Sequence, residues 1–155
     1  MPGLILVLVG DDPKDRARSL GGRAELEAEG VRVLGYIGDE MLMELLSRAE
    51  AFVFPSLYEG FGFPVLEAMA GGTPVITSRA ASLPELGGEA VIYIDPSDAG
   101  AIAAAVLRVC SDRKIQDDLR SRGRMQAGRF RWEDTARQTL RVYEEAAQHP
   151  RRGGR

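Results

Sequence analysis

Leu4-Ile5-Leu6-Val7-Leu8-Val9 is an unbroken apolar run closed by Gly10, the pattern of a strand buried on both faces. Asp11-Asp12-Pro13 then turns the chain into a charged, helix-favouring segment from Lys14 to Glu29. Gly30 ends it, because glycine enters a left-handed cap without strain. Val31 to Leu34 predicts a short strand, Asp39 caps a helix reaching about Arg48, and Ala51 to Phe54 predicts another short buried strand. Pro74 to Thr77 and Val91 to Ile94 read as strands. Between them, Ser82-Leu83-Pro84-Glu85 has a capping-box spacing that favours one short helical turn. Beyond these the rhythm is helical. Ile102, Val106 and Val109 share one face, and Ile115 and Leu119 share another. Trp132, Ala136, Leu140 and Tyr143 form a four-turn stripe that makes Trp132 a core anchor rather than a ligand platform.

Strands alternating with helices through the first two thirds predict the α/β class: a parallel sheet with helices on both faces. No internal repeat or linker interrupts the pattern, so one domain is expected over residues 1–149, with a disordered tail over 150–155. A chain of 155 residues that is 45% hydrophobic and 28% charged supports one soluble core. The net charge of -3 argues against a general affinity for nucleic acid. Arg120, Arg122, Arg124, Arg129 and Arg131 read as a solvated helix face, with a polyanion patch as the weaker reading. Cys110 is the only cysteine and His149 the only histidine, which removes intrachain disulfides, cysteine zinc sites and histidine triads. The run Leu4 to Val9 is too short for a membrane span or a signal-peptide core, so a cytoplasmic chain is expected.

The densest chemistry lies in "SLYEGFGFPVLEAMAGGTPVI", residues 56–76. In parallel sheets ligands bind outside the carboxyl ends of the strands, and Ser56 to Phe63 is a loop in that position. Pro64 fits the first turn of a helix expected to run to about Ala70, and Gly71-Gly72 ends it. Gly60 and Gly62 let the backbone approach a ligand just before a helix N-terminus that favours anionic groups. Glu67 is expected in the first turn of that helix, and Glu59 stands just before the glycine loop. Both acids would border one cleft, where carboxylates accept hydrogen bonds from vicinal hydroxyls such as a sugar or ribose displays. The plainer alternative has Glu67 serving the helix dipole, Glu59 on the surface and the glycines only making a turn. Neither acid has an evident base partner, so an acid/base dyad is weaker than hydroxyl binding.

Other motifs are set aside. Gly10-Asp11-Asp12-Pro13-Lys14 is not a G-x-G-x-x-G turn, and no G-x-x-x-x-G-K-[ST] occurs. Asp11-Asp12 resembles the acidic pair of a receiver domain. The aspartate and lysine which that fold needs later are replaced by Phe54-Pro55 and Ser78-Arg79.

"PSLYEGFGFPVLEAMAGGTPVI" resembles the donor-site motif of the retaining glycosyltransferases of GT-B architecture, the group typified by sucrose synthases and bacterial mannosyl- and rhamnosyltransferases. Its mark is two glutamates with seven residues between them, the spacing of Glu59 and Glu67. "VRVLGYIGDEMLMELLSRAEAFVFPS", "SLPELGGEAVIYIDPSD" and "RFRWEDTARQTLRVYEE" extend the resemblance from Leu4 to about Glu145. It implies the Rossmann-like C-terminal half of a GT-B fold. It also implies transfer of a glycosyl unit from a nucleotide-diphosphate sugar to an acceptor hydroxyl with retention, in polysaccharide or glycolipid biosynthesis. By the same resemblance Glu59 binds the donor sugar's hydroxyls as the catalytic-site acid. Backbone groups of Gly60, Phe61, Gly62, Phe63 and Val65 line the sugar and diphosphate. Glu67 binds the ribose hydroxyls, and the turn Tyr36-Ile37 contacts the base edge. No metal and no cofactor beyond the donor itself is implied, because the leaving diphosphate accepts the proton.

The chain departs from the family pattern in three respects. Complete members have roughly twice its length, and the acceptor-binding N-terminal half has no counterpart here. The usual first strand of the C-terminal half is missing, with its diphosphate-gripping arginine and lysine; Lys14 and Arg16 do not stand in their place. A missing central strand exposes a sheet edge, which makes a homodimer an expected partner state. Weak donor binding, no transfer by the chain alone, and attachment at the inner membrane face only through the absent domain complete the expectation. A non-catalytic nucleotide-binding or assembly module of the same fold is the alternative.

Overall fold

The computed structural model describes residues 3–10 and 30–148. The expected turn at Asp11-Asp12, the helix from Lys14 to Glu29, His149 and the tail 150–155 lie outside the described residues. Contacts group the chain into two units, one ending at Leu45 and one beginning at Leu46.

In the first unit, β1 (Leu6–Val9) pairs in parallel with β2 (Val31–Gly35). Leu6 stands opposite Val31 and Leu8 opposite Val33, and the register slips after Leu8 so that Val9 faces Gly35. Gly30, at φ 83, makes the left-handed turn into β2, the conformation expected of it. The burial expected of β1 is not found: Leu4 to Val9 are between 37 and 58% exposed. Burying a strand on both faces requires cover on each face and a neighbour on each edge, whereas among the described residues β1 has β2 as its one strand partner. Helix α1 (Asp39–Arg48) carries Asp39 and Glu40 in its first turn and Arg48 in its last, the arrangement that its dipole favours.

In the second unit, β3 (Phe52–Phe54), β4 (Val75–Ser78) and β5 (Ile92–Ile94) form a parallel sheet in that order, Val53 facing Ile76 and Ile76 facing Ile92. The strands thus fall into two parallel sheets of two and three strands. The α/β class is as expected, and the element bounds shift by a residue or two.

Helices α2 (Phe63–Gly71), α3 (Leu83–Gly87), α4 (Ala99–Ser111), α5 (Arg113–Ala127) and α6 (Trp132–Gln148) follow the strands. The face of α4 predicted from Ile102, Val106 and Val109 meets the face of α5 predicted from Ile115 and Leu119, and both close over Ile76 and Ile94. Their N-termini are capped by Asp98 and Asp112, whose carboxylates accept amide hydrogen bonds at 2.9 Å from Ala101 and Lys114. Beside this core, Val65 and Met69 of α2 are fully buried, and α5 lays Gly123 against Met69. The arginines of α5 are largely spoken for. Arg120 pairs with Asp117 and Glu50, while Arg122 pairs with Asp118 and donates to the Glu89 carbonyl. The solvated face expected of them is found only in part, since the Arg120 side chain is 21% exposed and the Arg122 Nε is buried without a hydrogen-bond partner among the described residues.

Trp132 is not a core anchor. It is 73% exposed, Leu140 and Tyr143 are exposed with it, and no residue of α6 is buried. Only the first turn of that helix meets a ring of the unit, Trp132 stacking on Phe63 with centroids 6.1 Å apart. An apolar stripe states that a helix needs cover, and the described residues do not supply it along α6.

Candidate functional site

The loop between β3 and α2 is built by three serines, none of which the sequence assigned to this task. Ser56 donates to the Tyr58 carbonyl at 2.8 Å, which turns the chain at the end of β3. Ser78, the last residue of β4, donates to the Ser56 carbonyl. Ser82 donates to the Phe61 carbonyl at 2.8 Å, with the Glu59 carbonyl 3.2 Å away as a second acceptor. The capping box expected at Ser82 is therefore not formed. Ser82 has helical backbone angles and makes no side-chain cap, because its hydroxyl is used across the fold on the loop. Ser82→Ala should cost about 1–2 kcal/mol of stability, since two loop carbonyls lose their donor. Urea unfolding of the two proteins reads the difference.

Gly62 sits at the N-cap of α2 with φ 100. A Cβ there would stand 2.8 Å from Leu83 Cδ2 and 3.3 Å from Leu86 Cδ2, both on buried side chains. The loop is thus drawn onto α3 as tightly as glycine allows. Gly60 differs. Its φ is not of the left-handed kind, and a Cβ would meet nothing within 4 Å. The space in front of it is open. The amides of Gly60, Phe61, Gly62 and Phe63 make no hydrogen bond with any described residue. The Val65 amide is bound to the Gly62 carbonyl at 3.0 Å and its side chain is fully buried, so Val65 has no free donor to offer. Four successive unpaired amides running into a helix N-terminus form a seat for negative oxygen.

Glu59 lies half-buried beside this seat, its Oε2 3.5 Å from the Ser56 hydroxyl and its Cγ close against Gly62. Glu67 is the fifth residue of α2, in the second turn and not the first as expected, because the helix opens at Phe63. That position lies beyond the reach of a dipole effect confined to the first turn. Helix geometry leans its Cα–Cβ bond back toward the N-terminus, over the turn that holds Phe63 and Pro64. Glu67 is half-buried and makes no hydrogen bond or ion pair among the described residues. A carboxylate held partly out of water with no protein partner is poorly explained as a structural element.

Phe61 and Phe63 pack with centroids 4.6 Å apart. Phe130 meets Phe61 edge-on at 6.3 Å and Trp132 stacks on Phe63, so the loop carries an aromatic wall on its exposed side. The sequence places Trp132 on an apolar stripe without showing which ring it meets, and gives Phe130 no role. Glu59 through Glu67 thus share one connection in the second unit. Tyr36 and Ile37 belong to the first unit, in the turn after β2, with Tyr36 83% exposed.

A separate shallow hollow of ≈500 Å³ opens at the carboxyl ends of β4 and β5, walled by Ser78, Arg79, Tyr93 and Asp95 together with the apolar Ala80, Ile94 and Pro96; neither glutamate lines it. The Tyr93 hydroxyl donates to the Gly88 carbonyl at 3.0 Å. Burial raises its pKa above the ordinary 10.0, with Arg79 opposing the shift less strongly. The folded state therefore holds this proton more tightly than the unfolded chain. The stability it contributes is complete below about pH 10 and is lost as pH rises through the folded value. Tyr93→Phe should flatten that alkaline loss, as urea midpoints at about pH 9 and about pH 11 will show.

Among the described residues no helix is long and apolar enough to cross a membrane. A family model described as Glycosyl transferases group 1 matches residues 2–112. The chain is 45% identical over 113 residues to O-antigen chain mannosyltransferase B of Escherichia coli, covering 73% of this chain and 30% of that protein. Sucrose-phosphate synthase from Thermosynechococcus elongatus superposes with a TM-score of 0.79 at 35% identity, covering 92% of this chain and 38% of that one. HepE of Anabaena, solved in complex with UDP-glucose, superposes with a TM-score of 0.80 at 20% identity, covering 94% of this chain and 42% of its own, a likeness of fold. The chain thus spans between 30 and 42% of the length of these proteins. On the matched family model and on identity at this level, the chain belongs to the group 1 glycosyl transferases.

Proposed function

We propose that this chain is the donor-binding half of a retaining glycosyltransferase, which moves a glycosyl unit from a nucleotide-diphosphate sugar to an acceptor hydroxyl. The observation that carries this reading is that the amides at residues 60–63 and the half-buried carboxylate of Glu67 all lack a partner among the described residues. The amides at the mouth of α2 receive the diphosphate oxygens, and the open space before Gly60 admits them. Glu67 accepts hydrogen bonds from the ribose hydroxyls, and Glu59 does the same for the donor sugar.

In the transfer, the acceptor oxygen bonds to the anomeric carbon on the face from which the diphosphate oxygen departs. The leaving diphosphate takes the acceptor's proton. The protein's part is to hold the diphosphate where negative charge grows, which calls for neither a nucleophilic side chain nor a metal. The setting is polysaccharide or glycolipid assembly in the cytoplasm.

Acceptor binding belongs to a partner domain outside these residues, so the chain alone binds donor weakly and transfers nothing. Titration calorimetry with uridine and guanosine diphosphate sugars should give saturable binding, and a transfer assay should give no product above background. Robust turnover by the purified chain would overturn the division of labour, and absence of any nucleotide binding would overturn the donor site.

A further inference from the structure

We propose that the hollow at the carboxyl ends of β4 and β5 is a subsite for a carboxylate-bearing saccharide unit, held by Arg79 on its Tyr93 platform and by Asp95. The Arg79 guanidinium lies 4.2 Å from the Tyr93 ring centroid, and its charge has no ion-pair partner among the described residues. The ring beneath it is pinned through its hydroxyl, which donates to Gly88 with the Pro84 carbonyl 3.4 Å away. The cation is therefore positioned before any ligand arrives. A guanidinium without an ion-pair partner has its N–H fork to offer, the set that grips a carboxylate with two parallel hydrogen bonds.

Asp95, which lines the same hollow, narrows the choice of anion. Asp95 Oδ1 accepts from the Ser97 amide at 2.9 Å and from its hydroxyl at 2.6 Å, which leaves Oδ2 for a ligand. These bonds hold the Asp95 carboxyl below the usual carboxylate range, so it stays charged. A hollow with one fixed cation and one fixed anion disfavours a doubly charged phosphate. It suits a molecule bringing one negative charge for Arg79 and hydroxyls for Asp95 Oδ2. A volume of ≈500 Å³ accommodates a monosaccharide with room to enter.

Ser78 joins this hollow to the proposed donor loop, since it lines the one and bonds to Ser56 of the other. The saccharide half of the inference rests on the proposed function; the anion grip stands without it.

Backbone amide NMR of the full chain, titrated separately with glucuronate, glucose and inorganic phosphate, tests the subsite. Glucuronate should shift the Ala80, Tyr93 and Asp95 amides saturably. Arg79→Gln should weaken that binding about tenfold or more, and Arg79→Lys less, because it keeps the charge but not the fork. The dispersed spectrum of each variant reports that it is folded. Glucose or phosphate shifting the same amides as strongly as glucuronate, or Arg79→Gln binding glucuronate unchanged, would overturn the proposal. A parallel titration with a nucleotide-diphosphate sugar separates the two readings. Shifts at residues 60–67 without a glucuronate response sink the subsite and leave the donor site. The converse sinks the donor site and leaves an anion subsite for a sugar acid.

Discussion

Glu67→Gln should lower the affinity for a nucleotide-diphosphate sugar by about tenfold to a hundredfold, because hydrogen bonds to a charged group contribute about 1.5–3 kcal/mol. The same substitution should leave Tm within about 2 °C of its starting value, since few degrees follow from a small change in stability. The two halves of this expectation have one cause. The Glu67 carboxylate is half-buried on α2 and touches no donor among the described residues, so the folded protein gains nothing from its charge. A group that costs desolvation and returns no stability is kept for a ligand. Calorimetry and a thermal melt on the same two samples decide the matter. A fall in Tm of several degrees with unchanged binding would make Glu67 a structural residue.

Gly62→Ala should destabilise the second unit by about 2–4 kcal/mol, combining the strain of a left-handed alanine with overpacking. The backbone at Gly62 has φ 100, and the new methyl would enter the space of Leu83 Cδ2, a fully buried side chain. Moving Leu83 disturbs α3, and moving Gly62 shifts the four amides that precede α2. Donor binding should therefore fall together with the urea midpoint, in contrast to Glu67→Gln. Gly60→Ala is the internal control for stability, because its Cβ position faces open space. A Gly62→Ala protein with an unaltered midpoint would mean that the loop is not held against α3 as described.

Much of this architecture is legible in the chain. The strands at Val31, Phe52, Val75 and Ile92 and the helix opening at Asp39 follow from apolar runs and a capping residue. The apolar faces of α4 and α5 follow from their period, whereas their caps at Asp98 and Asp112 are no part of that reading. Gly72, at φ 77, ends α2 as its position after the apolar run predicts, with the Thr73 amide returning to the Ala68 carbonyl at 2.9 Å. The concentration of acids and glycines at residues 59–67 marks the candidate site for the same reason: each device acts on neighbours in the chain.

The misread places share a different cause. Ser82 looks like a cap for its own helix, yet its hydroxyl serves carbonyls more than 20 residues earlier. A hydroxyl can satisfy a near or a distant carbonyl, and only the fold shows which one is left unpaired. The stripe of α6 and the run of β1 declare apolar surface needing cover, but periodicity carries no information about whether a partner is present.

What the sequence alone determined was the order and type of elements, the glycine-bounded helix and the spacing of Glu59 and Glu67, all set by interactions within a few residues. The tertiary structure decided that Glu67 has no partner among the described residues and that Val65 has no donor to give. It also decided that Arg79 rests on Tyr93 above a hollow. Those facts depend on side chains brought together from distant strands, where packing and the pairing of every buried polar group select one arrangement among many that local pattern permits.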